Sequence, residues 1–554
     1  VRLIERRVGL LFAVFAIAFC GVVVRAAWLQ AVKGGELSAD ARLQQTAEVT
    51  VPGIRGSIVD RNGKELAVSE EAATVVATPY QVESPEQVAA KLGRALERSP
   101  EELLASIVGE EGFSYVERGI SLAAAERIRA MELTGIGILP DSRRIYPQDE
   151  VGSRLVGAVG TDGDGLFGIE QSQEETLAGA DGELAVTRDA LGDEIGRDTV
   201  AGAVAGSDLK LTIDVKIQAK AEEVLAELGA AHSPDGATAI AVNPDDGEVL
   251  AMASWPPVDP ENLAGAAPEE LSNMATRFTY EPGSTFKAFT VAGALEDGVV
   301  DPGTVFELPP TLQVADREIE ESHPRGPVAL TVAEILKVSS NVGAVTIGLK
   351  LNGGGFGSRF DRWVRRFGFS KPTGIELAGE EQGVVPEPSE YSGATMGNLP
   401  LGQGLSVTPL QMVAGYGAIA NGGRLLPPRL IESIAGEPVA EAAGKRLISG
   451  RTAAELRRML QGVLEPGGTA SVEIEGYELA GKTGTAEKVV DGVYSETEFV
   501  ASFVGFAPVE DPELLMAVIV DNPKAGDYYG GSLAAPAFGE IASFALPYLG
   551  VDPG

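Results

Sequence analysis

Three short strings far apart in the chain carry side chains that together suit acyl transfer: Ser284-Thr-Phe-Lys287, Ser339-Ser-Asn341 and Lys482-Thr-Gly484-Thr485. They supply a hydroxyl nucleophile, an amine base, a proton relay and a cationic clamp for a carboxylate, a set that needs no metal or cofactor. A serine hydroxyl attacks poorly until a base takes its proton. A lysine serves as that base only when burial or a nearby positive charge lowers its pKa. Phe286, Phe289 and Met274 are apolar candidates for that burial.

The Ser-x-x-Lys pattern occurs twice. Ser207-Asp-Leu-Lys210 runs straight into a strand, where residues three apart point to opposite faces, and it reads as linker. Ser284 instead follows Glu281-Pro-Gly283 and heads a helix-compatible run to Leu295. That places Ser284 in a first helical turn with Lys287 on the same face, about 5–6 Å away. A plain helix cap with Lys287 in solvent fits this string alone equally well.

Ser339-Ser-Asn341 interrupts an apolar helix-loop window over residues 332–349, where small polar groups are costly unless hydrogen-bonded or needed. Ser339 could relay a proton to a leaving amine, and Asn341 could hold a substrate amide and Lys287 together. A polar pair tying helices to each other is the alternative. Lys482-Thr483-Gly484-Thr485 is expected to follow a strand over 477–480. Gly481 and Gly484 let a substrate peptide lie alongside as an added strand, and Lys482 with the Thr483 and Thr485 hydroxyls suits a terminal carboxylate. The backbone N–H groups of Ser284 and Thr485 are candidates for an oxyanion hole. An ordinary strand end and turn remains open here. A phosphate-binding loop does not, because the preceding glycine frame and the following helix are missing.

The elements that must position these strings follow from patterning. A chain of 554 residues suggests two to four domains. Val8 to Val24 is an unbroken run of 17 uncharged, mostly apolar residues between Arg6-Arg7 and Arg25, and reads as a membrane-spanning helix. A buried core helix and a signal peptide cleaved after Ala26 are the alternatives. The basic N-terminal flank puts the following residues outside the cytoplasm. A polar helical stretch through about residue 47 is expected next, then a hairpin turning at Asn62-Gly63, helices over 85–107 and 122–133, and a hairpin over 187–200. The next boundary falls near 202–208. Beyond it come a strand at 211–214, a helix over 215–229, strands at 238–244 and 248–253, three more at 476–480, 499–507 and 514–521, and a closing helix over 535–546. Helices inserted between the second and third strands of one antiparallel sheet make a mixed α/β domain with the two outer strings at one sheet edge.

Composition excludes several functions. With 44 Lys+Arg against 80 Asp+Glu, a net charge of −36 argues against nucleic acid as a partner. The single cysteine, Cys20, lies in the apolar run, so no internal disulfide is available. Only His232 and His323 are present, which argues against a metal centre.

The three strings, in this order and accompanied by Tyr280-Glu-Pro-Gly283, Gly374-Ile-Glu-Leu377, Gly402-Gln-Gly404, Val407-Thr-Pro409, Asn421-Gly-Gly423 and Ala534 to Pro536, resemble the class B penicillin-binding proteins over nearly the whole chain. The resemblance implies a membrane-anchored peptidoglycan D,D-transpeptidase. Its expected layout is a cytoplasmic tail over 1–7, a transmembrane helix over 8–28, a β-rich α+β pedestal of dimerisation type over 29–205, and a serine β-lactamase-like transpeptidase domain with an antiparallel five-stranded sheet over 206–554. It implies Ser284 as nucleophile, Lys287 as general base, Ser339 as relay, Asn341 as the group orienting the substrate amide, and Lys482, Thr483, Gly484 and Thr485 as the carboxylate-binding edge. Stem peptides ending in D-Ala-D-Ala, β-lactams, a SEDS-family glycan polymerase and other divisome or elongation membrane proteins are the implied partners, with no cofactor. Weak D,D-carboxypeptidase activity is also implied.

The strings at 55–67, 144–147 and 165–170 resemble the pedestal module. Val258 stands where this family often has Phe, a packing difference. No glycan-polymerising domain is expected before the pedestal and no repeat modules after the catalytic domain. The compact pedestal, Trp28-Leu-Gln30 and the 402–405 region favour the division and sporulation branch over elongation. A β-lactamase, a β-lactam sensor and a non-enzymatic cell-wall peptide-binding scaffold are the rival readings. The first normally has no long anchored pedestal, the second commonly has several membrane spans, and a pure binder needs no Ser284, Lys287 and Lys482 together.

Overall fold

The computed structural model describes residues 2–33, 35, 46–109, 112–188, 194–263, 265–353, 358–490 and 492–553. The polar helix expected through residue 47 falls mainly on 36–45, and the centre of the 187–200 hairpin on 189–193, both outside the described residues. The chain forms two compact units. The first comprises Val1–Arg55, Ser69–Arg143 and Ala178–Gly206; the second comprises Gly56–Val68, Arg144–Leu177 and Ser207–Gly554.

In the first unit, α1 (Arg2–Ala31) is a single helix, about 45 Å long at the α-helical rise, long and apolar enough to cross a membrane and with its apolar side chains exposed. Strands Thr46–Val51, Gly182–Arg188 and Glu194–Ala201 form an antiparallel sheet. Helices Pro85–Leu96, Pro100–Ile107 and Leu122–Arg129 bury Leu92, Ile107 and Ala125 in a small core with Val75. Ser121 starts the last of these helices by accepting a hydrogen bond from the Ala124 N–H.

The second unit is organised by one sheet. The Asp214 side chain caps α2 (Val215–His232) by accepting from the N–H groups of Lys216 and Ile217. β1 (Gly236–Val242) and β2 (Val249–Trp255) then pair as a hairpin, with Gly247 at positive φ in the turn. β3 (Ala480–Val490), β4 (Val493–Ala507) and β5 (Leu514–Asp521) complete an antiparallel sheet in the order β2-β1-β5-β4-β3. Alternate residues feed two cores, one on each face. Ile240, Leu515, Ala517 and Ile519 pack on one side; Ala239, Ala241, Met516, Val518 and Val520 pack on the other, beneath α2 and the closing helix Ala534–Leu549. Burial on both faces explains why these strands are apolar throughout rather than alternating.

Two boundaries differ from the sequence reading. The third strand of the sheet is 480–490, not 476–480, so the Lys482 string lies within a strand instead of after one. Its glycines, read from sequence as allowing close approach of a substrate peptide, also serve packing within the sheet: a Cβ on Gly481 would meet the Phe503 ring at 2.4 Å. The strand expected at 211–214 is Leu209–Leu211, because Asp214 is spent as a helix cap.

The strings at 56–67, 144–147 and 165–170 come together in the second unit. Ile58, Ala67, Tyr146 and Ile169 belong to the same core cluster as Ile240 and Phe286. Arg144 Nε pairs with Glu170 Oε1 at 2.7 Å with both side chains almost fully enclosed, and Arg144 Nη1 donates to the Gly56 carbonyl at 2.8 Å. Removing one member of such a pair strands a buried charge, at a cost of about 3–5 kcal/mol. Glu170→Ala should therefore lower the thermal unfolding midpoint by many degrees; a melting curve matching the wild type would contradict this role.

Candidate active site

Ser284 sits in a 3-10 turn, Gly283–Phe286, that leads directly into α3 (Lys287–Glu296). The expected continuous helix from Ser284 is thus tightened at its start, and in a 3-10 turn residues i and i+3 stand almost one above the other. The turn is held from several directions. Thr285 Oγ1 donates to the Pro282 carbonyl at 2.7 Å, the buried Tyr416 hydroxyl donates to the Thr285 carbonyl at 2.7 Å, and Gly283 N donates to the Gly402 carbonyl at 3.0 Å. Phe286 and Phe289 pack edge-on and tilted within an aromatic cluster with Phe367, Phe369 and Tyr416. Met274 packs instead near Gly236, its sulfur 3.1 Å from where a Cβ there would lie.

The Ser339 string forms the break between α4 (Val332–Lys337) and α5 (Asn341–Asn352). Ser339 adopts φ of 56°, the left-handed region that costs a non-glycine residue about 1–2 kcal/mol. That conformation accompanies two contacts to one amine: Lys287 Nζ donates to the Ser339 carbonyl at 2.7 Å and lies 3.2 Å from its Oγ. Lys287 Nζ also donates to Asn341 Oδ1 at 2.7 Å. The Asn341 amide nitrogen donates to the Glu320 carbonyl at 2.8 Å, so its oxygen must face the lysine. A neutral amine has two N–H bonds, and the two short contacts use both. Its lone pair is left free for the hydroxyls on the cleft side.

Lys482 reaches the same point from β3. Its Nζ lies 3.0 Å from Ser339 Oγ and donates to the Thr483 carbonyl at 3.2 Å. With both Lys287 N–H bonds used, Lys482 is the donor to Ser339 Oγ, and the Ser339 proton can face the free lone pair of Lys287. Both lysines are fully buried. Burial pushes Lys287 down to about 7 against a smaller upward pull from Glu321. Burial and then the charge of Lys287 push Lys482 well below the ordinary lysine range. The two ammonium groups cannot share this dry site cheaply.

Strand alternation sorts the rest of the third string. Thr483 and Thr485 lie two apart and share a face; Lys482 and Gly484 share the other. Thr483 Oγ1 bonds Thr469 Oγ1 at 2.7 Å, and Thr485 Oγ1 accepts from Gly530 N at 3.1 Å. Gly484 is where the edge strand meets the Ser284 turn: a Cβ there would lie 2.4 Å from Ser502 Oγ and 3.0 Å from the Pro282 carbonyl. The structure therefore brings Lys287, Ser339, Asn341 and Lys482 together by direct contacts, with the Ser284 turn packed against β3. Thr469, Gly530 and Glu321 escaped the sequence reading. Only the Gly467-Gly468 turn before Thr469 offered any signal.

An antiparallel sheet whose edge strand faces a Ser-x-x-Lys turn, with a lysine from each converging on a second serine, is the architecture of the penicillin-binding transpeptidases. The family model described as penicillin binding protein transpeptidase domain matches residues 237–543, and the penicillin-binding protein dimerisation domain matches 50–211. The chain belongs to the class B penicillin-binding proteins. It is 34% identical to stage V sporulation protein D of Bacillus subtilis, over 98% of this chain and 85% of that protein. It is 32% identical to peptidoglycan D,D-transpeptidase FtsI of Escherichia coli, over 99% and 93% respectively. Among solved structures, penicillin-binding protein 3 of Mycobacterium tuberculosis in complex with aztreonam superposes with a TM-score of 0.71 at 28% identity, covering 91% of this chain and 98% of that one.

The close approach at Gly484 is directly testable. Gly484→Ala crowds Ser502 Oγ and the Pro282 and Thr285 atoms of the Ser284 turn, an overpacking cost of about 1–3 kcal/mol. A lowered melting midpoint is expected, together with slower covalent labelling by penicillin. Wild-type values of both would show that the strand and turn are not in contact.

Proposed function

We propose that this protein cross-links peptidoglycan stem peptides through a serine acyl-enzyme. Ser284 Oγ attacks the carbonyl of the penultimate D-Ala, forming an ester and releasing the terminal D-Ala. The amine of a neighbouring stem peptide then attacks the ester, frees Ser284 and leaves a new peptide bond. Lys287, as the neutral amine, takes the Ser284 proton; Ser339 passes a proton to the departing D-Ala nitrogen; Asn341 orients the substrate amide. The observation that carries this reading is the meeting of two buried lysines on Ser339 Oγ.

Lys482, Thr483 and Thr485, with Gly484 between them, receive the substrate carboxylate at the edge of β3, with Thr469 supporting Thr483. The N–H groups of Ser284 and Thr485 form the oxyanion hole. Two features support that assignment: the first N–H groups of a helical turn have no intrahelical partner, and an edge strand has N–H groups turned away from its neighbour. A carboxylate arriving beside Lys482 favours its ammonium form, which in turn favours the neutral form of Lys287. Substrate binding thereby helps prepare the base. Water in place of the acceptor amine gives the weak carboxypeptidase side reaction, and β-lactams acylate the same serine.

In the proposed layout α1 spans the membrane once through residues 8–28, with 1–7 inside and the catalytic part outside. The pedestal is drawn from 29–205 apart from segments 56–68 and 144–177, which pack in the unit of the transpeptidase domain, 206–554. The names of the relatives, a sporulation protein and FtsI, support septal wall synthesis. A SEDS-family polymerase then supplies the glycan strands.

Fluorescent penicillin should label the wild type covalently, with a rate that falls on the acid side of about pH 7 as Lys287 gains its proton. Ser284→Ala should abolish labelling with the melting curve intact, and Lys482→Ala should slow it. Strong labelling of the folded Ser284→Ala variant would sink the assignment.

A further inference from the structure

Glu321 follows the hairpin of strands Thr311–Val314 and Arg317–Glu320 and has no place in the reaction described above. Its side chain is only 6% exposed and pairs with Arg325 Nη2. The carboxylate also holds the start of α5. Oε1 accepts from Ser340 Oγ at 2.6 Å, and Oε2 accepts from Asn341 N at 2.7 Å. Ser340 Oγ in turn caps α5 by accepting from Gly343 N at 3.0 Å. The adjoining Glu320 carbonyl holds the Asn341 amide nitrogen. One short segment therefore fixes both the backbone and the side-chain orientation of the residue whose oxygen faces Lys287.

We infer that the Glu321–Arg325 pair is a positioning device for Lys287, fixing the Asn341 amide and setting the net charge that the amine feels. The inference rests on reading Lys287 as the base. Glu321 and Lys482 act on Lys287 from two directions, and Arg325 is ion-paired to Glu321. His323 and the Glu320 side chain lie on the same segment but are exposed. Glu321 favours the ammonium form, Lys482 disfavours it, and Arg325 offsets part of the Glu321 charge. Carboxylates often tie down helix starts for purely structural reasons. An electrostatic role differs from that in one respect: removing the anion and removing its cationic partner must act in opposite directions.

The test is the rate of acylation by fluorescent penicillin, measured on the full chain in detergent from about pH 5 to 9. Glu321→Gln should move the midpoint of the acid limb down by roughly 0.5 to 1 pH unit, since an anion that favoured the protonated base is gone. Arg325→Gln should move it up, and Glu321→Asp should keep it near the wild-type position. A Glu321→Gln limb that stays in place, or shifts in the same direction as that of Arg325→Gln, overturns the inference. If Glu321→Gln does not fold, Arg325→Gln decides alone: an upward shift supports the device and an unmoved or lowered limb refutes it. Ser284→Ala in the same assay separates the two levels, because labelling of that variant would remove the serine reading itself.

Discussion

Two lysines from opposite walls of the cleft meet on one hydroxyl, Ser339 Oγ, and the site depends on how that crowding is resolved. Each ammonium would be costly alone in a buried position, and the pair is costlier still. The fold stores this cost at the site and offsets it elsewhere, in two cores packed against the sheet. A group that would be a permanent cation on the surface becomes an amine able to accept a proton near neutral pH.

The sheet makes the meeting possible. β3 is an edge strand, paired with β4 on one side only, and its register sets Lys482 opposite Val504 and Gly484 opposite Ser502. Facing it, the 3-10 turn keeps Ser284 half-buried at the mouth and Lys287 fully buried behind it. The third wall is the α4–α5 break, where a strained serine stands in a conformation that glycine would adopt more cheaply. Glycine would lack the hydroxyl that both lysines contact, which is a physical reason to tolerate the strain there.

Much of this was legible in the sequence, for identifiable reasons. Ser284 and Lys287 could be singled out because Pro-Gly before a helical run differs from the strand that follows Ser207. The apolar strands at 236–242, 249–255 and 514–521 announced a buried sheet through their composition. Lys482 was found by type but its element was misjudged, since Gly481 and Gly484 permit close packing within a sheet as readily as close approach of a substrate peptide. Glu321 was invisible, and Thr469 was hinted at only by the Gly467-Gly468 turn before it, because their roles arise only when separate segments meet, and neither spacing nor periodicity encodes such a meeting. The strings at 144–147 and 165–170 resembled a pedestal module by sequence, yet they pack in the unit that holds the active site, joined by the Arg144–Glu170 pair.

The protonation state of Lys287 is the point on which everything else turns. Lysine side chains labelled with carbon-13 at Cε report it directly by NMR titration of the full chain, with Lys287→Arg identifying the resonance. The expected result is a lysine that loses its proton near pH 7 and disappears from the spectrum of the variant. A Lys287 signal that remains that of an ammonium beyond about pH 9 would contradict the role of this amine as the base.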